Sequence, residues 1–344
     1  MSVAEPVLIW GAGAIGGALG AAFLRAGHRV VFVDSAADHV AAIGATGLRI
    51  EGPVSNDTVR APAFLPEDLK GRFGCVFLCV KALHTRAAIT RLAPHLADDG
   101  FVVSAQNGLN ELEIAEVVGR ARTVGCFVNF GADYIAPGVI HYGGRGAVVV
   151  GELDGRHTAR IGDLHDLMCA FEPDARISDN IWGLLWGKLI YGALLFATAL
   201  TNDSIADVLE DTEARPLLVR LGREVAAVAA AQDIRTEGFD GFDPAAFAPG
   251  APPGALDRSF ADMVMHNRRS AKSHSGIWRD LAVRKRKTEA EAQLGAIVDA
   301  GARAGVATPL SMRLIGLVQE IERNDRALSH DNLADLAGTA EAGP

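Results

Sequence analysis

One lysine, Lys188, interrupts "IWGLLWGKLIYGALLFATALT" (residues 181–201), which is otherwise apolar apart from its threonines and a tyrosine. A run of this length is long enough to span a bilayer, but an ammonium near its centre would cost roughly 3 kcal/mol in lipid. Gly183, Gly187 and Gly192 leave bare surface for close packing, and neither a second span nor a flanking basic cluster accompanies the run. The segment therefore reads as a helix buried in protein. Desolvation favours the neutral amine, so a buried lysine gives and takes protons near the working pH. It suits the reduction of a ketone, where the oxygen needs a proton as hydride reaches carbon, or the reverse reaction. The structural alternative is a lysine snorkelling from a core helix to the surface.

A second group of residues can hold a cofactor. "GAGAIG" (Gly11, Ala12, Gly13, Ala14, Ile15, Gly16) follows the apolar run "PVLIW" and opens a small-residue helix. In that context Gly11 allows the tight turn, Gly13 lets backbone N–H groups approach a pyrophosphate, and Gly16 lets helix and strand pack closely. The helix N-terminus adds partial positive charge. Asp34 ends the next strand, 18 residues after Gly16, and only Ser35, Ala36, Ala37 and Asp38 follow it. A carboxylate there accepts ribose hydroxyls and repels a 2′-phosphate, so NAD is the expected cofactor and NADP the alternative.

Other polar residues have two readings each. Asn107, in "QNG" after an apolar strand, lies where ligands bind in parallel sheets, or merely forms a turn. Lys81, at the end of the strand "GCVFLCV", reads as a helix-start residue. Glu289, in "KTEAE", serves chemistry or the dipole of a beginning helix. His84 and His274 read as surface or satisfied histidines. "RKRK" (residues 284–287) reads as a solvated helical face or a counter to a substrate carboxylate. Asn202 and Asp203 follow the apolar helix as caps, with Asn202 also able to reach a substrate. The histidines and the four cysteines (Cys75, Cys79, Cys126, Cys169) show no metal-ligand spacing. Cys75 and Cys79 share a strand face about 13 Å apart, too far for a disulfide.

These residues need a scaffold, and the pattern supplies one. Apolar strands "PVLIW", "RVVFVD", "GCVFLCV" and "FVVSA" alternate with helical stretches, which predicts a parallel, doubly wound sheet. "TVGCFVNFGADY", "GVIHYGG" and "GAVVVGE" read as antiparallel additions. After about Ser178 every pattern is helical, including one long stretch from Ser259 to Lys287. Residues 243–257, rich in Pro and Gly, read as a mobile surface loop. The expected division is an α/β Rossmann-type dinucleotide-binding domain (1–178), an all-helical substrate domain (179–334) and a flexible tail (335–344).

Net charge is −9, from 33 basic and 42 acidic side chains, which argues against nucleic acid as a partner. "MSVAEPVLIWGAGAIGG" has no basic leader region and enters a glycine loop, unlike a signal peptide. With cysteines few and scattered, a reducing cytoplasm is expected, with a small-molecule substrate, no membrane partner and a homodimeric assembly.

The order of the glycine loop, "CVKA", "QNGLNELE", the lysine helix and "KTEAE" resembles the ketopantoate reductase family over roughly 5–325. The resemblance implies a Rossmann domain meeting a helical domain, with a ketone beside a carboxylate reduced in the cleft. It implies that Lys188 is the catalytic lysine and that Glu289 is the acid near the nicotinamide end. Asn107 would lie by the nicotinamide ribose and substrate, Lys81 on the cofactor, and Ser275 (or Ser273) on the substrate near His274. Two departures stand out. Where the family often carries substrate-holding asparagines four and eight residues after the lysine, this chain has Gly192 and Phe196. Where NADPH-using members carry a basic or neutral residue, it has Asp34. A bulkier or less polar substrate than ketopantoate is expected. A β-hydroxyacid dehydrogenase-like enzyme and a non-catalytic NAD sensor are the competing readings; "NIWGLLWGKL" fits the former's lysine segment poorly.

Overall fold

The computed structural model describes residues 3–4, 6–269 and 273–339. The chain forms two compact units, divided between Ile181 and Trp182.

Among its described residues the first unit holds twelve strands: β1 (Val7–Trp10), β2 (Val30–Val33), β3 (Leu48–Glu51), β4 (Asp57–Val59), β5 (Ala63–Phe64), β6 (Phe73–Leu78), β7 (Leu96–Ser104), β8 (Thr123–Val128), β9 (Gly131–Ala136), β10 (Val139–Gly144), β11 (Val148–Glu152) and β12 (Arg176–Ile177). Its helices are α1 (Ala14–Arg25), α2 (Ala37–Thr46), α3 (Thr85–Leu92), α4 (Asn110–Val118) and α5 (Ala159–Cys169). The main sheet runs β12-β11-β8-β7-β6-β1-β2-β5. Every residue of β1, β2 and β8 is buried. A parallel sheet covered on both faces requires this, and it explains the unbroken apolar runs.

Two expectations need correction here. β8 joins β7 in parallel, and only β11 is antiparallel to β8. The reason is α4, an unanticipated helix that carries the chain back across the sheet before β8. Moreover, β9 and β10 leave the main sheet and build a second one, ordered β4-β3-β10-β9. Helix α1 lies against both sheets. A Cβ on Gly20 would come within 2.4 Å of the Phe32 ring, and one on Gly17 within 3.0 Å of the Ile140 side chain.

The second unit is helical among its described residues, apart from an isolated bridge between Phe239 and Phe242. Its helices are α6 (Ile181–Thr198), α7 (Ile205–Glu210), α8 (Arg215–Ala230), α9 (Ala255–Arg269), α10 (Gly276–Trp278), α11 (Ala290–Ala304), α12 (Pro309–Glu322) and α13 (Asp331–Ala337). Helix α6 is long and apolar enough to cross a membrane, with mean hydropathy 1.4, yet 72% of it is buried within the protein. Its glycines explain part of that packing. The Gly183 carbonyl accepts from the Glu237 N–H at 2.9 Å, and a Cβ on Gly187 would sit 2.2 Å from the Glu237 carbonyl oxygen. Gly187→Ala is therefore expected to destabilise the second unit by about 1–3 kcal/mol, because backbone and not a pliant side chain must give way. A lowered urea midpoint would register it; an unchanged midpoint would contradict the close crossing.

Five local expectations also change. Residues 243–247 are anchored: Asp243 caps a 3₁₀ turn over Pro244–Phe247, and the buried Phe247 ring lies 5.9 Å from both Phe242 and Phe260. The long helix expected over 259–287 is not continuous: α9 is described as far as Arg269 and residues 273–275 are not helical, while Ser270, Ala271 and Lys272 lie outside the described residues. "RKRK" is not helical. Asp280 draws in Arg284 (2.9 Å) and Arg286 (3.0 Å), and Lys285 takes a left-handed φ of 49°. Ser204, not Asn202 or Asp203, caps α7, its hydroxyl accepting from the Asp207 N–H at 3.1 Å. Finally, the tail expected over residues 335–344 does not begin at 335. Asp335 is in α13, paired with Arg313 (2.8 Å) and Arg326 (3.0 Å), and Leu336 is fully buried. Residues 340–344 lie outside the described residues.

Candidate active site

The strand register assembles the first unit's candidates. Val33, Trp10, Leu78 and Ser104 lie side by side across β2, β1, β6 and β7. The segments leaving these four parallel strands carry Asp34, the glycine loop, Lys81 and Asn107. Such a carboxyl edge is where open α/β sheets bind ligands.

Within the glycine loop each glycine does something different. Gly11 has φ 98°, and its N–H donates to the Val33 carbonyl at 2.7 Å. A Cβ on Gly16 would fall 2.1 Å from the Gly11 oxygen, whereas one on Gly13 would meet nothing within 4 Å. The first and third glycines are thus filled by protein, and the second opens outward. Gly13 caps α1 without a side chain, leaving the first-turn N–H groups of Ala14, Ile15 and Gly16 with no helical acceptor. The Asp34 carboxylate accepts from the N–H of Ala12 at 2.9 Å and of Ala36 at 3.0 Å.

Lys81 is partly buried and precedes a 3₁₀ turn, Ala82–His84; His84 and Asn107 are exposed. A buried network, which sequence reasoning missed, ties these two segments together. Gln106 Nε2 donates to the Val80 carbonyl (2.9 Å) and to Thr85 Oγ1 (2.8 Å). Thr85 donates to Asn110 Oδ1 (2.8 Å), and Asn110 Nδ2 donates to the Asn107 carbonyl (2.7 Å). Beside it, Glu111 is fully buried near the Ser104 hydroxyl, with no hydrogen bond of ordinary geometry. Burial pushes its carboxyl up to about 7, against smaller opposing contributions from backbone and Ser104.

In the second unit, α6 presents a narrow partly exposed stripe of Lys188, Tyr191, Gly192 and Leu195. The spacing is that of one helical face. Phe196 is not on it: its ring is fully buried. Eight residues past Lys188 the helix has advanced about 80° beyond two full turns, which carries the side chain into the core. The expectation that Phe196 lines a pocket meets a side chain closed off in the core, whereas Tyr191 and Leu195 lie on the partly exposed stripe with Lys188. The Tyr191 oxygen accepts from Asn267 Nδ2 at 2.8 Å; burial raises its hydroxyl above the usual range, with Asn267 lowering it and Asp240 raising it. A Cβ on Gly192 would stand 3.8 Å from Gln293 Oε1, its nearest neighbour. Glu289 occupies the N-cap position of α11, one turn before Gln293, whose N–H donates to the Glu289 carbonyl at 2.9 Å.

Ser275 is nearly buried and caps α10, accepting from the Trp278 N–H at 3.1 Å. His274 packs on Trp278 with ring centroids 4.0 Å apart and planes tilted by 32°, and its Nε2 lies 3.1 Å from the Asn202 carbonyl. Ser275, His274 and Asn202 are thus neighbours. Asn202 also lines a cavity of about 430 Å³ with Leu281, Lys285, Asn324 and Arg326. Among the described residues no three His, Cys, Asp or Glu side chains cluster as metal ligands.

Comparison with known proteins adds a family to this geometry. Residues 7–155 match the model described as ketopantoate reductase PanE/ApbA, and residues 180–322 match that of its C-terminal domain. A 2-dehydropantoate 2-reductase of Mesorhizobium japonicum is 30% identical over 256 residues, covering 67% of this chain and 77% of that one. The crystal structure of a PanE/ApbA family ketopantoate reductase from Ralstonia eutropha JMP134 superposes with TM-score 0.77 at 27% identity, covering 92% and 98% of the two chains. A D-mandelate dehydrogenase solved with NADH and anilino(oxo)acetate shares the fold, with TM-score 0.80 at 23% identity over 92% and 98%.

Proposed function

The chain belongs to the ketopantoate reductase family, and from that premise we propose that it is an NAD-linked oxidoreductase interconverting a 2-oxo acid and its 2-hydroxy acid. The observation that carries this reading is the alignment of Asp34, the glycine loop, Lys81 and Asn107 along one edge of the parallel sheet. The open Gly13 position and the unpaired amides of α1 suit a diphosphate. Each Asp34 oxygen spends one lone pair on a backbone N–H and keeps another for a ribose hydroxyl. The same carboxylate opposes a 2′-phosphate.

Bound reduced nicotinamide supplies the hydride. Lys188 donates the proton that the substrate oxygen needs, and in the oxidative direction its neutral amine takes that proton back. Asn107 and Lys81 orient the nicotinamide ribose, Glu289 holds the ammonium or a substrate hydroxyl, and Ser275, His274 and Asn202 receive the substrate's polar end. With glycine at 192, and Tyr191 and Leu195 alongside, the wall next to Lys188 is roomier and less polar than one built from asparagines. We therefore favour a substrate bulkier than ketopantoate. Free cysteines suit a reducing cytoplasm.

The test is a panel of 2-oxo acids, from ketopantoate to aryl-substituted acids, run with NADH and with NADPH and followed by absorbance of the reduced nicotinamide. NADH is expected to be favoured about ten-fold or more in kcat/KM, the factor that about 1.4 kcal/mol of like-charge repulsion produces, and Asp34→Ala to narrow the gap. Efficient turnover of ketopantoate with NADPH would remove both the cofactor and the substrate assignment. Binding of NADH without turnover of any acid would favour a sensing role instead.

A further inference from the structure

His39, on α2, is fully buried beneath the dinucleotide loop and has no part in the chemistry above. Both its ring nitrogens are engaged. The Gly138 N–H, which can only donate, points at Nδ1 from 2.8 Å, so Nδ1 carries a lone pair. Nε2 then bears the hydrogen and donates to the Ala12 carbonyl at 2.9 Å. Ala12 is held on its other side as well, its N–H donating to Asp34. One residue of the glycine loop is thus gripped at both ends of its backbone, by side chains from the end of β2 and from α2.

The grip reaches beyond the strand–loop–helix unit. Gly138 sits in the β9–β10 turn with φ 75°, and its carbonyl accepts from the Arg49 N–H of β3 at 2.9 Å. Tyr134 of β9 meets the His39 ring edge-on, centroids 5.1 Å apart and planes at 66°. That phenol also lies within the field of Asp38 and Asp34, which add to burial in raising it above its ordinary value. The second sheet therefore fixes the imidazole, and the imidazole fixes the loop.

Resting on the dinucleotide reading, we propose that His39 is a positioning residue for the cofactor, acting through Ala12 to hold the glycine loop in its binding conformation. The experiment is titration of the full-length protein with NADH, followed by cofactor fluorescence, together with steady-state kinetics. His39→Ala is expected to raise the NADH Kd and KM about ten-fold, the effect of losing one well-made backbone hydrogen bond and the order it imposes, and to leave kcat at saturating NADH within about two-fold. His39→Gln, which keeps a donor toward Ala12, is expected to recover part of the affinity. A purely structural role would lower the melting temperature and leave Kd unchanged in the folded protein, and that result overturns the proposal. So does a loss of kcat equal to the loss of affinity. If His39→Ala does not fold, Tyr134→Leu decides. Measured against Tyr134→Phe, which loses the phenol but keeps the ring, it isolates the ring contact at an exposed position of β9 and is expected to raise Kd about two- to three-fold, on the scale of one aromatic pair; an unchanged Kd overturns the proposal. Wild-type protein that binds no NADH would instead refute the dinucleotide reading itself.

Discussion

Lys188→Ala is expected to lower kcat by about 10²- to 10⁴-fold, the range that a positioned proton donor contributes, with the KM for NADH nearly unchanged. The split follows from the role. In the proposed role the amine acts on the substrate oxygen only as charge develops there, so its loss would fall on the chemical step and not on cofactor binding. Lys188→Arg should not restore the rate, because guanidinium holds its proton at all accessible pH. Folding should survive, since alanine is a better helix former and Lys188 lies on the partly exposed stripe of α6. The measurement is kcat of the variant with the best substrate of the panel, beside its circular dichroism and melting curve. A folded variant with wild-type kcat would end the proton-donor role and leave Lys188 as a snorkelling lysine.

Glu111→Gln is expected to stabilise the protein at alkaline pH. In the fold Glu111 titrates near 7 instead of at its ordinary 4.5, because burial disfavours the carboxylate. The folded chain thus holds a proton that the unfolded chain releases. The contribution is full below about pH 4.5 and is lost as the pH climbs through 7, on the order of 3 kcal/mol in all. Glutamine stays neutral throughout, so the variant should match wild type near pH 4.5 and exceed it near pH 8. Urea unfolding at the two pH values, with far-ultraviolet circular dichroism as probe, gives the comparison. Equal wild-type and variant stabilities at both would show that the Glu111 carboxyl is not desolvated.

Much of this architecture was legible because burial on both faces leaves an unmistakable run of apolar residues. β1, β2 and β6 were readable for that reason, and the glycine loop because its three positions impose three different steric demands. Helix α4 was not. Its buried face is Asn110, Glu111 and Ile114, two polar residues for one apolar, so no apolar stripe marks it. Without α4 the direction of β8 came out reversed. The second sheet was hidden because β9 and β10 look like a hairpin in any setting, and only the pairing of β10 with β3, about ninety residues earlier, takes them out of the main sheet. At the candidate site, Lys188 stood out as a charge among apolar neighbours. Tyr191 and Leu195 did not, since counting in fours from the lysine follows the helix off its exposed face. The Gln106–Thr85–Asn110 network and the His39 clamp join residues distant in sequence through ordinary polar side chains, and local spacing carries no trace of such contacts.

Helix α1 is flanked by one sheet at Gly16 and Gly20, where a side chain would collide with Ile9 and Phe32, and by another at Gly17, where one would press on Ile140. A rod wedged so tightly has no slack. Its leading amides reach their final orientation when the domain folds, and an anion arriving there meets dipoles already aimed at it. The disorder that a looser loop would surrender on each encounter has been removed in advance, so attraction appears as affinity with little deduction for rearrangement.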